Sequence, residues 1–194
     1  MRFEEYTLYF IQSNKMQEPS GLTIEKEYIS HKVEEKLIIR INSEKWDESL
    51  VRRTQHYGYR YDYKSKDIRP ANQPIPKWIS KLFPGKEYDQ CIINRYLPGE
   101  GISAHTDRDI FGDEICSLSL GSPVTMMFTR QHFGHQFHDV WLQPRSLLTM
   151  TGEARNLWKH EIPARKVDFI PEGKRHIKRT TRYSITMRTM IDLD

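Results

Sequence analysis

The step His105-Thr106-Asp107 sets an imidazole and a carboxylate two residues apart. On an extended backbone residues i and i+2 point to the same side, so the two groups converge on one point. His160, in Arg155-Asn156-Leu157-Trp158-Lys159-His160-Glu161, is a candidate third ligand. Two histidines and a carboxylate on one side of a metal leave its other positions open, the arrangement of non-haem Fe(II) oxygen chemistry. Open positions call for a co-substrate, whose candidate anchors lie in Arg182-Tyr183-Ser184-Ile185-Thr186-Met187-Arg188. On a strand Arg182, Ser184, Thr186 and Arg188 share one face, and Tyr183, Ile185 and Met187 share the other. Two guanidinium forks on one inward face suit a ligand with two carboxylates, which each fork binds through paired hydrogen bonds. A hydrolytic Zn²⁺ site could use the same three ligands plus water. It would leave the two arginines unexplained.

Other signals are weaker. His132, His135 and His138 surround Gly134, but on a hairpin strand His135 faces away from the other two, which favours a structural or solvent role. Ser184 has no visible base partner, so a serine nucleophile is not supported. Cys91 and Cys116 are too few for a disulfide framework and lack zinc-type spacing; buried thiols in a reducing compartment are expected. The stretch Arg52 to Lys64 interleaves basic and aromatic residues, a composition suited to phosphate contact and base stacking. Arg53, Tyr57, Tyr59 and Arg60 are its candidate substrate contacts; the alternative is an edge strand whose tyrosines pack on one face. A net charge of +4 and a pI near 9.0 are compatible with a polyanionic partner without requiring one.

These groups need a rigid support. Strand signals recur from Tyr88 onward: Cys91–Leu97, Ile115–Leu120, Val124–Thr129, Gln136–Leu142, Ser146–Met150, the His160 segment and Arg182–Met190. Before them lie a β-prone stretch at Tyr6–Ile11, a short strand at Leu22–Ile29, a helix from His31 to Asn42 capped by Ser30, and a short helix from Pro76 to Phe83. Gly58 marks a bend or bulge, Asp67–Pro76 an irregular loop, Ile110–Asp113 a loop-like exit and Arg165–Arg179 an exposed basic loop. The pattern predicts a mainly β fold with flanking helices. Its form is a double-stranded β-helix, or jelly roll, of two packed antiparallel sheets buttressed by N-terminal helices. The chain of 194 residues fits one domain, with residues 1–87 as helical and substrate-lid region and 88–191 as catalytic core. No apolar run reaches membrane-spanning length and the N-terminus lacks an apolar signal segment. The expectation is an intracellular monomer, cytoplasmic or nuclear, with no membrane partner.

Taken together, Asn94-Arg95-Tyr96-Leu97-Pro98-Gly99, His105-Thr106-Asp107, Gly152-Glu153-Ala154-Arg155 with His160, and Arg182 to Arg188 resemble, in order, the AlkB-like Fe(II)/2-oxoglutarate dioxygenases. The resemblance covers about Gln55 to Arg188. It implies that His105, Asp107 and His160 hold Fe(II), that Arg182 pairs with the distal carboxylate of 2-oxoglutarate, and that Arg188 sits near its chelating end. Asn94 and Tyr96 would hydrogen-bond the co-substrate from the facing strand. Ser184 stands where the family often has Asn, which alters one co-substrate hydrogen bond. Asp109 matches an acidic residue that contacts the target base, and Arg155 one near the substrate. The implied reaction consumes O₂ and 2-oxoglutarate, releases succinate and CO₂, and demethylates an N-alkylated base in DNA or RNA with loss of formaldehyde. Single strands and loops are the easier substrates, because a paired base must first be flipped out. Gln55-His56-Tyr57-Gly58-Tyr59 is similar to the branch that hydroxylates a modified wobble uridine in tRNA, which is the alternative enzyme reading. A nucleic-acid-binding protein with a non-catalytic metal site is the alternative of another class; the complete triad and both arginines argue against it.

Overall fold

The computed structural model describes residues 18–61, 68–130, 136–170 and 175–191; the expected strand at Tyr6–Ile11 lies outside them, as do His132 and His135. Its strands are β1 (Leu22–Glu25), β2 (Arg53–Tyr61), β3 (Ile68–Pro70), β4 (Gln90–Tyr96), β5 (Ile102–His105), β6 (Phe111–Gly121), β7 (Val124–Arg130), β8 (Gln136–Leu142), β9 (Leu147–Met150), β10 (Lys159–Ile162), β11 (Val167–Ile170), β12 (Arg175–Lys178) and β13 (Arg182–Met190). The helices are α1 (His31–Ser43), α2 (Lys77–Ser80) and α3 (Gly152–Asn156). Seven strands form one sheet in the order β1-β9-β6-β13-β4-β2-β3, and four form a second in the order β5-β10-β7-β8. All the pairings are antiparallel. This is the jelly roll that the strand spacing predicts.

Strand β13 lies at the middle of the larger sheet, and its alternation organises both faces. Tyr183, Ile185 and Met187 point to a core shared with Leu37 and Ile41 of α1, Ile79 of α2, and Ile93, Leu118 and Leu120 of the neighbouring strands. The opposite face meets the smaller sheet through Ile115, Leu148 and Met150, packed with Met126, Phe128, Leu142 and Ile162. Each fully buried aliphatic side chain contributes roughly 1.5–3 kcal/mol. The polar residues of β13 therefore enter a sandwich sealed by apolar packing on both sides.

Helix α1 begins where Ser30 accepts a hydrogen bond from the Val33 N–H, as a Ser N-cap should. A buried acid secures it to the sheet. Glu34 accepts from the Gly121 N–H at 2.8 Å and from Arg145 Nη1 at 2.8 Å, while Arg145 also forks onto Glu27.

Three stretches differ from expectation. Ile68–Pro70 is a strand paired with Tyr59–Tyr61, so β2 lies between β3 and β4 rather than at an edge. The exit expected at Ile110–Asp113 is already strand from Phe111, because Phe111 pairs with Met190. The expected basic loop after Arg165 is the hairpin β11–β12, a separate two-stranded sheet. The bend at Gly58 is present: its φ is +73°, and a Cβ there would stand 1.9 Å from the Asp89 carbonyl oxygen. Only glycine lets β2 leave β4 and continue onto β3.

Removing the Glu34 carboxylate leaves the Gly121 N–H and Arg145 Nη1 without their acceptor, while Arg145 keeps its fork on Glu27. Glu34→Ala should cost about 1–3 kcal/mol, read as a lower Tm. A Tm equal to wild type would show that Glu34 does not secure the helix.

Candidate active site

His105 is the last residue of β5, and antiparallel pairing with β10 makes His160 its register partner. Their ring centroids are 4.4 Å apart. Asp107 follows in the irregular segment after β5, with Oδ2 3.7 Å from His160 Nε2. His105 Nδ1 lies 2.7 Å from the Ser103 carbonyl oxygen. A carbonyl only accepts, so Nδ1 carries a proton and the contact orients the ring with Nε2 away from Ser103.

The electrostatics of these groups follow from burial and from Arg188. Burial alone would push the Asp107 pKa up, but Arg188, with His160 and His105, outweighs it and holds the carboxyl below its usual range. Arg188 Nη2 stands 2.6 Å from Asp107 Oδ1. Burial pushes His160 down to about 4, so its ring is neutral at ordinary pH. Its Nδ1 is buried without a hydrogen-bond partner. Among the described residues no three such groups already stand at metal-ligand spacing. His105, Asp107 and His160 are nevertheless neighbours of the right chemistry for a divalent transition metal: neutral imidazole and ionised carboxylate.

The cavity beside them is lined by Asn94, Tyr96, Ile102, Ser117, Arg182, Ser184 and Arg188, among others. Arg182 is 3% exposed and lies over the Tyr96 ring at 5.4 Å. Its Nη2 donates to Ser119 Oγ at 3.0 Å, while Nε and Nη1 have no partner. Burial lowers its pKa to about 10, which leaves it charged. A buried guanidinium facing no anion is unfavourable, and a ligand carboxylate would relieve that. Arg188, by contrast, is occupied with Asp107, with Gln90 Oε1 at 2.9 Å and with the Phe111 ring at 4.7 Å. Asn94 faces Ser184 in register, and its Nδ2 donates to Ser184 Oγ at 3.4 Å.

The substrate candidates scatter. Arg53 pairs with Arg95 in register, hence on the helix side of the sheet, and forms an ion pair with Glu48. Tyr57 is 4% exposed in the helix-side core and donates to Gln55. Neither reaches the site, because strand parity turns them away from it. Arg60 pairs with Asp47, and Tyr59 lies half-buried where β2 meets β3. The residues of this stretch that share the side of Asn94 are Arg52, Thr54 and His56. Arg52 Nε donates to Asn94 Oδ1 at 3.0 Å, and Thr54 contacts His56 Nε2 at 3.0 Å. Aligning the Arg52–Lys64 alternation with Asn94 and Tyr96 would have found them. Asp109 is exposed in the turn before β6. Arg155 is 4% exposed and does not reach outward: it donates to the backbone carbonyls of Arg108, Phe111 and Gly112 and to Asn156. Its visible role is to hold the loop carrying Asp109.

The chain is similar to known proteins. The family model described as the 2OG-Fe(II) oxygenase superfamily matches residues 13–188. An uncharacterized protein of Acanthamoeba polyphaga mimivirus is 37% identical over 89% of this chain and 86% of its own. The tRNA (carboxymethyluridine(34)-5-O)-methyltransferase ALKBH8 of Macaca fascicularis is 36% identical over 81% of this chain, which spans only 26% of that relative. AlkB of Escherichia coli is 32% identical over 55% of this chain. The solved structure of OsALKBH1 superposes with a TM-score of 0.70 over 89% of this chain and 98% of its own, at 18% identity, which supports the fold. No helix among the described residues is long and apolar enough to cross a membrane.

Two buried histidines give the protein a pH signature. Burial lowers both His160 and His56 to about 4. Below about 6.5 the unfolded imidazoles take protons that the folded ones refuse, so stability falls as pH drops from about 6.5 towards 4. The carboxylates held low, Asp107 and Asp168, keep their contribution above about 3.8 and lose it only at lower pH. Metal-free protein should lose Tm across the upper window, and His56→Gln should make that slope shallower. An identical slope in the variant would remove His56 from the account.

Proposed function

The chain belongs to the 2OG-Fe(II) oxygenase superfamily, and on that premise we propose that it oxidises an N-alkylated base in single-stranded or looped nucleic acid. It is an AlkB-like dioxygenase that uses Fe(II), 2-oxoglutarate and O₂. Bound iron and 2-oxoglutarate supply the activation of O₂ and the oxidation of a C–H bond. In this reading His105, Asp107 and His160 hold the metal, Arg188 orients the Asp107 carboxylate, and Arg182 receives the distal carboxylate of the co-substrate. Asn94, Tyr96 and Ser184 line its flank. Residues 1–87 supply buttress and lid, and 88–191 the catalytic core, of one domain.

The unpaired guanidinium of Arg182, buried in the cavity that also reaches His105, Asp107 and His160, carries this reading. A carboxylate anchored there completes a charge that the protein leaves uncompensated. Oxidation of an N-methyl carbon then gives a hydroxymethyl group that falls away as formaldehyde. Asp109 is exposed on a loop that Arg155 fixes, free to offset the positive charge of a methylated adenine or cytosine. A second reading, hydroxylation of a modified wobble uridine in tRNA, is favoured by the relatives named for a tRNA carboxymethyluridine. They match more of this chain than AlkB does. Their activity is a property of proteins about four times as long as the matched region.

The test is succinate and base-product formation on a panel of modified oligonucleotides, with products identified by mass spectrometry. N-methylated bases should be converted, and Asp109→Asn should reduce that conversion far more than uncoupled 2-oxoglutarate decay. A tRNA-derived uridine outperforming every N-methylated base would establish the second reading instead. Arg182→Lys keeps charge but loses the fork, so the KM for 2-oxoglutarate should rise while chemistry persists. Unchanged KM and kcat would move the anchor elsewhere. His105→Ala and Asp107→Ala should each abolish succinate formation while the Tm stays measurable.

A further inference from the structure

Hairpin β11–β12 lies outside both sheets of the sandwich. In the chain it sits between His160 and Arg182. Residues 165–179 hold six basic side chains against Asp168 and Glu172, a surplus equal to the net charge of +4 on the whole chain. The basicity of this protein is therefore concentrated on one small element.

The two faces of the hairpin differ. Antiparallel register sets Val167 opposite Lys178 and Phe169 opposite His176, so these four side chains share one face. That face is open: Phe169 is 44% exposed and Val167 38%. The Phe169 and His176 rings lie 5.3 Å apart. Lys166 and Arg175, both exposed, stand at the two ends of the hairpin.

Its root is rigid. Asp168, wholly buried, accepts from Arg179 through two nitrogens and from Arg165 Nε at 2.8 Å. Arg179 also donates to the Pro163 carbonyl at 2.7 Å, and the Gly99 N–H donates to the Arg165 carbonyl. Just inside this root, Ile162 and Arg182 line the co-substrate cavity. The platform is thus held at a fixed offset from the site.

We propose that the open face of β11–β12 docks a single-stranded stretch of nucleic acid, with bases stacking on Phe169 and His176 and phosphates met by Lys178 on that face. The bound strand continues to Lys166 and Arg175 at the two ends of the hairpin, whose side chains the register turns to its other side. The inference rests on the nucleic-acid reading above. Aromatic rings beside cations are the arrangement that holds single strands with little regard to sequence, since every base has a π face. An acidic peptide would use the cations and leave the rings idle. The lone anion of the described hairpin, Asp168, is turned inward and neutralised, so among the described residues of the hairpin no anion stands on the open face.

The test is fluorescence anisotropy of the iron-loaded protein with a labelled single-stranded RNA of about 12 nucleotides, free of modified bases, across a salt series. Poly-glutamate serves as the comparison polyanion. Phe169→Ala should weaken RNA binding roughly ten-fold, and Phe169→Tyr should restore it. The double change Lys166→Ala with Lys178→Ala should lower the log–log salt slope by about 1.4. Uncoupled 2-oxoglutarate turnover should match wild type in all three. If wild type binds RNA and all the variants bind equally with an unchanged slope, the platform is overturned while the substrate reading stands. If wild type binds no single strand at all, RNA or DNA, both fall. Poly-glutamate bound as tightly as RNA, and lost in the same variants, would assign the face to an acidic protein and overturn the proposal.

Discussion

A carboxylate that must stay ionised inside a protein needs a cation fixed beside it. Here that pair is Asp107 and Arg188, 2.6 Å apart and both largely buried. The guanidinium is fixed in turn by Gln90 and by the face of Phe111. Its strand, β13, is the middle of the seven-stranded sheet, and its other side chains pack under α1. Apolar burial on the helix side therefore sets the position of Arg188, and Arg188 sets the orientation and charge of Asp107. Without that contact, desolvation would favour the protonated form of Asp107.

The same strand creates the opposite condition at Arg182. Arg188 has its anion; Arg182 has a hydroxyl, an aromatic ring and two idle nitrogens. The protein alone thus carries an excess of buried positive charge, which a dicarboxylate reverses. One strand with period-two alternation thus supplies a core on one face and, on the other, a guanidinium paired with Asp107 and a second guanidinium buried in the cavity.

How much of this the sequence revealed depended on whether a pattern was local. The Arg182–Arg188 alternation, the Ser30 cap and the Gly58 bend are local statements about backbone geometry, and the structure agrees with each. The pairing of His105 with His160 required knowing that β5 lies beside β10, which no local signal carries; the order of motifs suggested it through family resemblance. The error at β2 was one of parity. Arg53 and Tyr57 were chosen by residue type, whereas register with Asn94 turns Arg52, Thr54 and His56 to the site. A slip of one residue reverses the face, so composition alone could not decide it. The basic segment after Arg165 read as loop because its charge obscured the alternation of Val167, Asp168, Phe169 and Ile170. The buried acid there is intelligible only beside Arg179.

Arg155 shows how the segments carrying Asp107 and His160 are coupled. It belongs to α3, five residues before His160, yet its guanidinium closes on the carbonyls of Arg108, Phe111 and Gly112, shortly after Asp107. Among the described residues no carboxylate pairs with it; the carbonyls of one loop and the Asn156 amide oxygen accept from it instead. Such an arrangement satisfies the buried fork only when the loop holds one conformation, because each carbonyl must point inward at once. Lysine would not be equivalent, since it lacks the planar fork whose Nε and Nη2 here reach three separate carbonyls. The loop after Asp107 and the segment leading to His160 are therefore held to each other by Arg155. The turn bearing Asp109 takes its position from the same three hydrogen bonds, so the geometry of the ligand segment and the placement of the exposed carboxylate cannot vary independently.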